Sequence, residues 1–544
     1  MPTIEQNREH LIRSNLGLAF LVLAVVICLI VLIRLRRWSS FREMLSAVAP
    51  GVLPLAMLTV NPFLALLSLG TAVYAEKFRP LRLTLWHVLL LALLIRLPLM
   101  GQSFWYDEAF TERLTTLTVQ ELIPAIQSDT HPPVYYSLMW LWSHVAGHGE
   151  FMLRVPSLLF GLLGIALLYR LVRALGLSER VALIAALLVS VTPAAMYYAT
   201  EARSYALLTC AVFGAIICIL EDRPLGFIVC TALTGWLHNL GLFYVPALVY
   251  AAFRYWEIRV SFSGWQTWRR TFVGATGLAC FWLPLTLQQM SGVSNGFWIA
   301  FDAGTPFTVF TLNSLYLPRE YILPILLPTI FLTFVGFWAA RRWLLKAQGR
   351  ALMIVLVGPP AIAVIVSLLW APVFLSRVFL PLTLLSLIPL AYAIDRHWRL
   401  LSAVAAPLFI SGMLVFYGSA DLLRPDFRQI VNRDCQSANA MYYTAVDTAL
   451  TLAPYWQGKS LTWVGGQDRG LTFGVEQLPL FNLDSGDISE FSGLTVCTVY
   501  LLTPRTLATE RDYIEELASA YPHRVIEHDI HDELQVWVYR FEVA

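Results

Sequence analysis

The sequence predicts an α-helical polytopic membrane protein of about fourteen spans, closed by a small extracytoplasmic α/β domain. Three observations carry that expectation. The 544 residues are 58% hydrophobic with a mean hydropathy of +0.64, too apolar for one soluble core. Apolar runs of about 20 residues, enough to cross a hydrocarbon layer of roughly 30 Å, recur between residues 16 and 417. Arginine and lysine clusters fall at alternate ends of those runs, as the positive-inside rule requires. The net charge of +2 gives no reason to expect a nucleic-acid partner.

Residues 16–35 form the first expected span, which ends in Arg34, Arg36, Arg37 and Arg42. Because these basic residues follow the apolar run, it does not read as a cleaved signal peptide. Residues 45–60 and 62–75, hinged at Val60-Asn61-Pro62, read as a helical hairpin that returns to Lys77, Arg79 and Arg82. These segments make an N-terminal unit, 1–82. The core, 83–418, opens with span 83–100, which delivers Asp107 and Glu108 into a first outer loop, 102–153. Within that loop, 134–145 reads as an interfacial helix with Tyr135, Tyr136, Trp140 and Trp142 at headgroup depth. A span there would put Arg170, Arg173 and Arg180 on the wrong face. Spans 155–171, 181–196, 206–220, 225–237, 240–253, 271–287, 321–340, 351–370, 378–394 and 400–416 then alternate, and each basic cluster falls on one face.

The tail, 419–544, lies outside by the same count. Its pattern suggests a helix at 432–452, strands near 461–464 and 494–502, a helix at 511–520, and strands near 525–527 and 534–542. The seven cysteines show no metal-binding spacing. Cys435 and Cys497 could pair if the tail is outside the cytoplasm.

Polar residues on the outer face are few, and they come from separate hairpins: Asp107 with Glu108, His131, Glu201 with Arg203, His238 with Asn239, and Arg377. Charges this close to hydrocarbon pair with one another or handle a charged substrate. A carboxylate can act as general base, a cationic pocket can hold a phosphate leaving group, and the aromatic rim of Tyr197, Tyr198 and Tyr205 suits a lipid or a sugar. His131, before Pro132 and Pro133, fits a structural turn as well as a ligand. His238 fits a satisfied interfacial histidine as well as a functional one. No P-loop or dinucleotide fingerprint appears, so an activated donor used on this face would have to be lipid-borne. Transport of a lipid-linked glycan, the alternative reading, calls for ionisable residues midway along the spans, and those runs carry almost none. A non-catalytic scaffold for envelope polysaccharide assembly is the third reading.

The chain resembles the GT-C superfamily of membrane glycosyltransferases, especially the bacterial relatives of protein O-mannosyltransferases and of lipid A aminoarabinose transferases. The resemblance spans roughly 83–428 and rests on Asp107-Glu108, His131-Pro132-Pro133, Arg154-Val155-Pro156-Ser157, Glu201-Ala202-Arg203-Ser204-Tyr205, His238, Ser376-Arg377-Val378-Phe379-Leu380-Pro381 and Arg424-Pro425-Asp426-Phe427-Arg428. It implies an inverting transfer of a sugar from a polyprenyl phosphate to a glycan, lipid or protein acceptor at the outer face of the plasma (inner) membrane. By that resemblance Asp107 is the base and Glu108 orients the donor or helps hold a divalent metal. Arg203 and Arg377 contact the lipid phosphate, and Glu201 braces Arg203. His131, Tyr198 and Tyr205 line the substrate site, and His238 stands where some relatives bind a metal.

Overall fold

The computed structural model describes residues 84–257, 262–293 and 319–418, with parts of 305–309, 424–463 and 495–542. The expected N-terminal spans in 1–82 lie outside the described residues. Helices occupy every stretch expected as a core span, and the 134–145 segment is a helix too, Pro133–Ala146. Five helices are long and apolar enough to cross a membrane: Glu150–Ala174, Gln266–Gln289, Ile325–Leu344, Ala347–Leu369 and Ser376–Arg396. Two bent pairs raise the number to seven among the described residues. The remaining core helices, such as Tyr205–Leu220 and Pro224–Leu237, are apolar but shorter than the sequence count assumed.

The bends position the site. Helix Tyr106–Thr115 turns 82° from Leu85–Gly101, so the first span stops at Gly101 and Asp107 lies beyond it. The pair Glu179–Ser190 and Pro193–Ala199 is bent by 68°. Here Pro193 has no amide hydrogen to continue the ladder and disfavours helix at Thr192. Buried Arg96 caps the broken end, donating to the carbonyls of Ala92 at 3.0 Å and Ser190 at 2.9 Å.

The bundle has two chemically different ends. At one, Arg170 pairs with Glu221 at 2.5 Å and Arg180 with Asp395 at 3.4 Å, joining the ends of four helices. Arg154 sits on the same helix as Arg170, about 24 Å away at 1.5 Å per residue, and belongs to the opposite end with the acidic pair.

The tail forms a five-stranded sheet of order β2-β1-β3-β5-β4, with β1 Ala440–Tyr443, β2 Leu461–Trp463, β3 Thr495–Leu502, β4 His523–His531 and β5 Leu534–Glu542. β1 is parallel to β2 and β3, while β5 runs antiparallel to β3 and β4. The helix expected at 432–452 is corrected: the helix is Phe427–Asp434, and β1 occupies the middle of that stretch. Met441, Tyr442 and Tyr443 suit a strand between two parallel neighbours, a tertiary context that overrides a weak local helical pattern. A disulfide joins Cys435, just after the helix, to Cys497 on β3.

Candidate active site

The acidic pair occupies the first turn of helix Tyr106–Thr115, where the helix dipole favours carboxylates. The two acids nevertheless have different surroundings. Glu108 is fully buried, and Arg154 grips it through both oxygens, Nε to Oε1 at 2.7 Å and Nη2 to Oε2 at 2.6 Å. The Ala202 amide donates to Oε1 at 2.9 Å, and Arg424 stands 3.7 Å from Oε2. Arg154 spends its other three N–H groups on the carbonyls of Met100, Gln102 and Ser103. One arginine thus fixes the start of the outer loop and the acid together. Arg424, arriving from beyond the last helix, adds a bond to the Thr200 carbonyl at 2.8 Å and lies over the Tyr197 ring.

Asp107 instead faces the charges gathered from distant hairpins. Its Oδ2 accepts from Arg377 Nη1 at 2.8 Å and lies 3.8 Å from Arg203 Nη2. Burial raises its pKa, but Arg203 and Arg377 outweigh burial and hold the carboxyl below its usual range. Arg377 belongs to a short 3-10 turn, Ser376–Phe379, and lies over the Tyr205 ring. Arg203 is a buried hub: it donates to the Tyr136 hydroxyl at 3.0 Å and to His131 Nε2 at 3.2 Å. With Nε2 accepting, His131 turns Nδ1 to Asp129 Oδ2 at 3.2 Å, and Tyr136 donates to that same oxygen at 2.6 Å. Burial and then Arg203 lower the His131 pKa against the pull of Asp129, so the ring is neutral.

Glu201 departs from its expected role. Its carboxylate does not brace Arg203; Oε1 accepts from Trp105 Nε1 at 2.9 Å, and Arg203 reaches Asp107. The two residues stand two apart in a tight turn, and side chains so spaced diverge. Burial raises the Glu201 pKa to about 8, with Arg424 opposing and Glu108 adding to the rise. Tyr198 is buried, 4.9 Å from the Tyr205 ring between centroids, and lines a cavity with Arg96 and Thr209.

His238 ends helix Pro224–Leu237 and packs edge-on against His131 at 4.8 Å. Its neighbour Asn239 ties down the His131 turn: the side-chain amide donates to the Thr130 carbonyl and to Gln289 Oε1, both at 2.8 Å, while Thr286 donates to Asn239 Oδ1. Gln289 in turn donates to the carbonyls of Ile126 and His131. The chain folds back after His238 because Gly241 lies against the Thr234 carbonyl, where no Cβ fits.

The residues suggested for a metal do not fit one. Both Glu108 oxygens face guanidinium groups, and no cluster of three or more His, Cys, Asp or Glu side chains suited to a metal occurs among the described residues. Sequence reasoning had no role for Arg154, Arg424, Asp129 and Gln289. It set Tyr135 and Tyr136 at headgroup depth, whereas both are buried, Tyr135 against Ser157 and Tyr136 between Arg203 and Asp129. Arg154 and Arg424 lie within quoted motifs, and Asp129 stands two residues before His131. Nothing in sequence marks Gln289.

The apolar helices and their arrangement define the class: a multi-pass membrane protein with the GT-C fold. Its overall path follows that of ArnT from Cupriavidus metallidurans. The apo structure of that protein is 16% identical with a TM-score of 0.54, covering 83% of this chain and 97% of that one. The structure bound to undecaprenyl phosphate is 17% identical with a TM-score of 0.52, covering 84% and 97%. Residues 130–285 match the family described as dolichyl-phosphate-mannose-protein mannosyltransferase. No curated protein sequence matches the chain.

Proposed function

We propose that the protein transfers a sugar, with inversion, from a polyprenyl phosphate to an extracytoplasmic glycan, lipid or protein acceptor. One observation carries the reading: a single ionised acid, Asp107, is shared by two largely buried arginines, Arg203 and Arg377. Taken whole, the buried cluster sets four arginines, Arg154, Arg203, Arg377 and Arg424, against three ionised acids, Asp107, Glu108 and Asp129, while Glu201 keeps its proton. One positive charge is left over at an apolar boundary, which suits a lipid-borne phosphate. Asp107 takes the proton of the acceptor hydroxyl as its oxygen bonds to the sugar's anomeric carbon. The bond from that carbon to the phosphate oxygen breaks, and the departing phosphate keeps the electron pair beside the arginines. Glu108 serves as a positioning residue, since its oxygens are already taken.

The match to a mannosyltransferase family and to a structure that binds undecaprenyl phosphate supports this donor class. The disulfide favours an oxidising compartment for the tail, and the basic clusters favour the cytoplasm for the opposite end of the bundle. The plasma membrane, with the site facing outward, is the location both support. The test is turnover of a radiolabelled polyprenyl-phosphate sugar by purified protein. Wild type should release polyprenyl phosphate, and Asp107→Asn should bind the donor without transferring. Full turnover by Asp107→Asn would remove it as the base. Mass spectrometry of lipid-linked sugars in cells lacking the protein would name the sugar by its accumulation.

A further inference from the structure

The packing around Asp107 leaves some polar atoms unspent. Nε2 of His238, the hydroxyl of Tyr205 and Oε2 of Glu201 are buried without a hydrogen-bond partner among the described residues. Leaving such an atom unpaired is destabilising. Close by, Asn239, Gln289 and Arg154 spend their side-chain polar groups fully. Unpaired atoms next to so well satisfied a network mark where a polar ligand completes the bonding.

His238 is the most constrained of the three. Its Nδ1 accepts from the Leu240 amide at 3.1 Å, so the neutral ring carries its proton on Nε2. The ring is only 4% exposed, and its neighbours are His131 at 4.8 Å and Tyr205 at 5.8 Å between centroids. His131 cannot take the proton, because its Nε2 already accepts from Arg203. A metal on Nε2 would need the other tautomer, which would put a hydrogen on Nδ1 facing the Leu240 amide.

We infer that His238 is a neutral hydrogen-bond donor, through Nε2–H, to a phosphate oxygen of the lipid donor, alongside Arg203 and Arg377. A phosphate is the fitting ligand because its oxygens only accept, and the unpaired atoms on this side, His238 Nε2–H and the Tyr205 hydroxyl, both donate. The inference rests on the proposed function and adds a specificity contact to it.

The experiment measures binding of undecaprenyl phosphate to the purified full chain in EDTA, by calorimetry, for wild type, His238→Gln, His238→Phe and Arg377→Ala. His238→Gln, which keeps a donor near the Nε2 position, should bind within about threefold of wild type, and His238→Phe should bind about tenfold or more weakly. In wild type labelled with 15N-histidine, the His238 Nε2 resonance should stay that of a protonated nitrogen and shift when the lipid phosphate is added. Unchanged affinity in His238→Phe with weakened Arg377→Ala overturns this inference and leaves the proposed function standing. So does Gln binding as poorly as Phe, an Nε2 resonance that does not shift, or wild-type binding that needs added Zn2+ or Mn2+. No binding by wild type, or full binding by Arg377→Ala, overturns the proposed function itself.

Discussion

Replacing Glu108 separates a structural acid from a chemical one. In Glu108→Ala the five N–H groups of Arg154 lose two of their acceptors, the Ala202 amide loses its partner, and Arg424 loses the nearest negative charge. Breaking a buried ion pair from one side costs about 3–5 kcal/mol, a large share of the 5–15 kcal/mol typical of a folded chain's stability. Taking roughly 1 °C per kcal/mol for a chain of this size, the unfolding midpoint should fall by about 3–5 °C. Glu108→Gln should fall less, since it keeps one oxygen for Arg154 but points an amide at the other guanidinium nitrogen. The assay is intrinsic tryptophan fluorescence during heating in detergent, run beside donor turnover on the same preparations. Activity should decline in step with stability. A Glu108→Gln variant that unfolds like wild type yet has lost all turnover would refute this reasoning, because it would place Glu108 on the substrate.

Other measurements bear on separate parts of the site. Arg203→Ala removes contacts to Asp107, Tyr136 and His131, so donor KM should rise about tenfold or more while kcat falls less; unchanged kinetics would make Arg203 structural. Glu201, with a folded pKa near 8 against 4.5 unfolded, keeps its proton in the native state between those values, so it makes stability fall as pH rises across that window. The slope is at most about 1.4 kcal/mol per pH unit, and Glu201→Gln should flatten it; identical slopes would mean the carboxyl is ionised when buried. Cys435→Ser opens a loop of 62 residues, which should cost the tail about 4 kcal/mol and expose it to proteolysis beyond residue 435; unchanged protection would show that the sheet holds without the bond.

The helical architecture was legible because each span must satisfy its own backbone, which writes long apolar runs into the chain. The gathering of Asp107, Arg203 and Arg377 followed from counting sides of the membrane. The division of labour between Asp107 and Glu108 did not: adjacent residues on a helix point about 100° apart, and only the position of Arg154 decides which one is enclosed. The resemblance implied that Glu201 braces Arg203, while its bond is to Trp105, 96 residues away. The strand at Ala440–Tyr443 escaped notice because its partners begin 20 and 56 residues later, and a local window cannot contain them.

The shared arginines carry a consequence for how the base is controlled. Arg203 and Arg377 hold the Asp107 carboxyl low in the absence of donor, and a depressed carboxylate is a poor proton acceptor. A lipid phosphate brings negative charge to the same two guanidiniums and weakens their hold on Asp107. In the proposed reaction its pKa should therefore rise on donor binding, making the carboxylate a stronger base once the sugar is in place. The pH dependence should display this directly. Activity requires ionised Asp107, so both kcat and kcat/KM for the donor fall on the acid side, and the kcat limb should lie at higher pH than the kcat/KM limb, since kcat reports the donor complex and kcat/KM the free enzyme. Arg377→Lys keeps the charge without the planar fork and should narrow the gap between the limbs. Coincident acid limbs in wild type would mean that the phosphate binds without drawing on the arginines that hold Asp107.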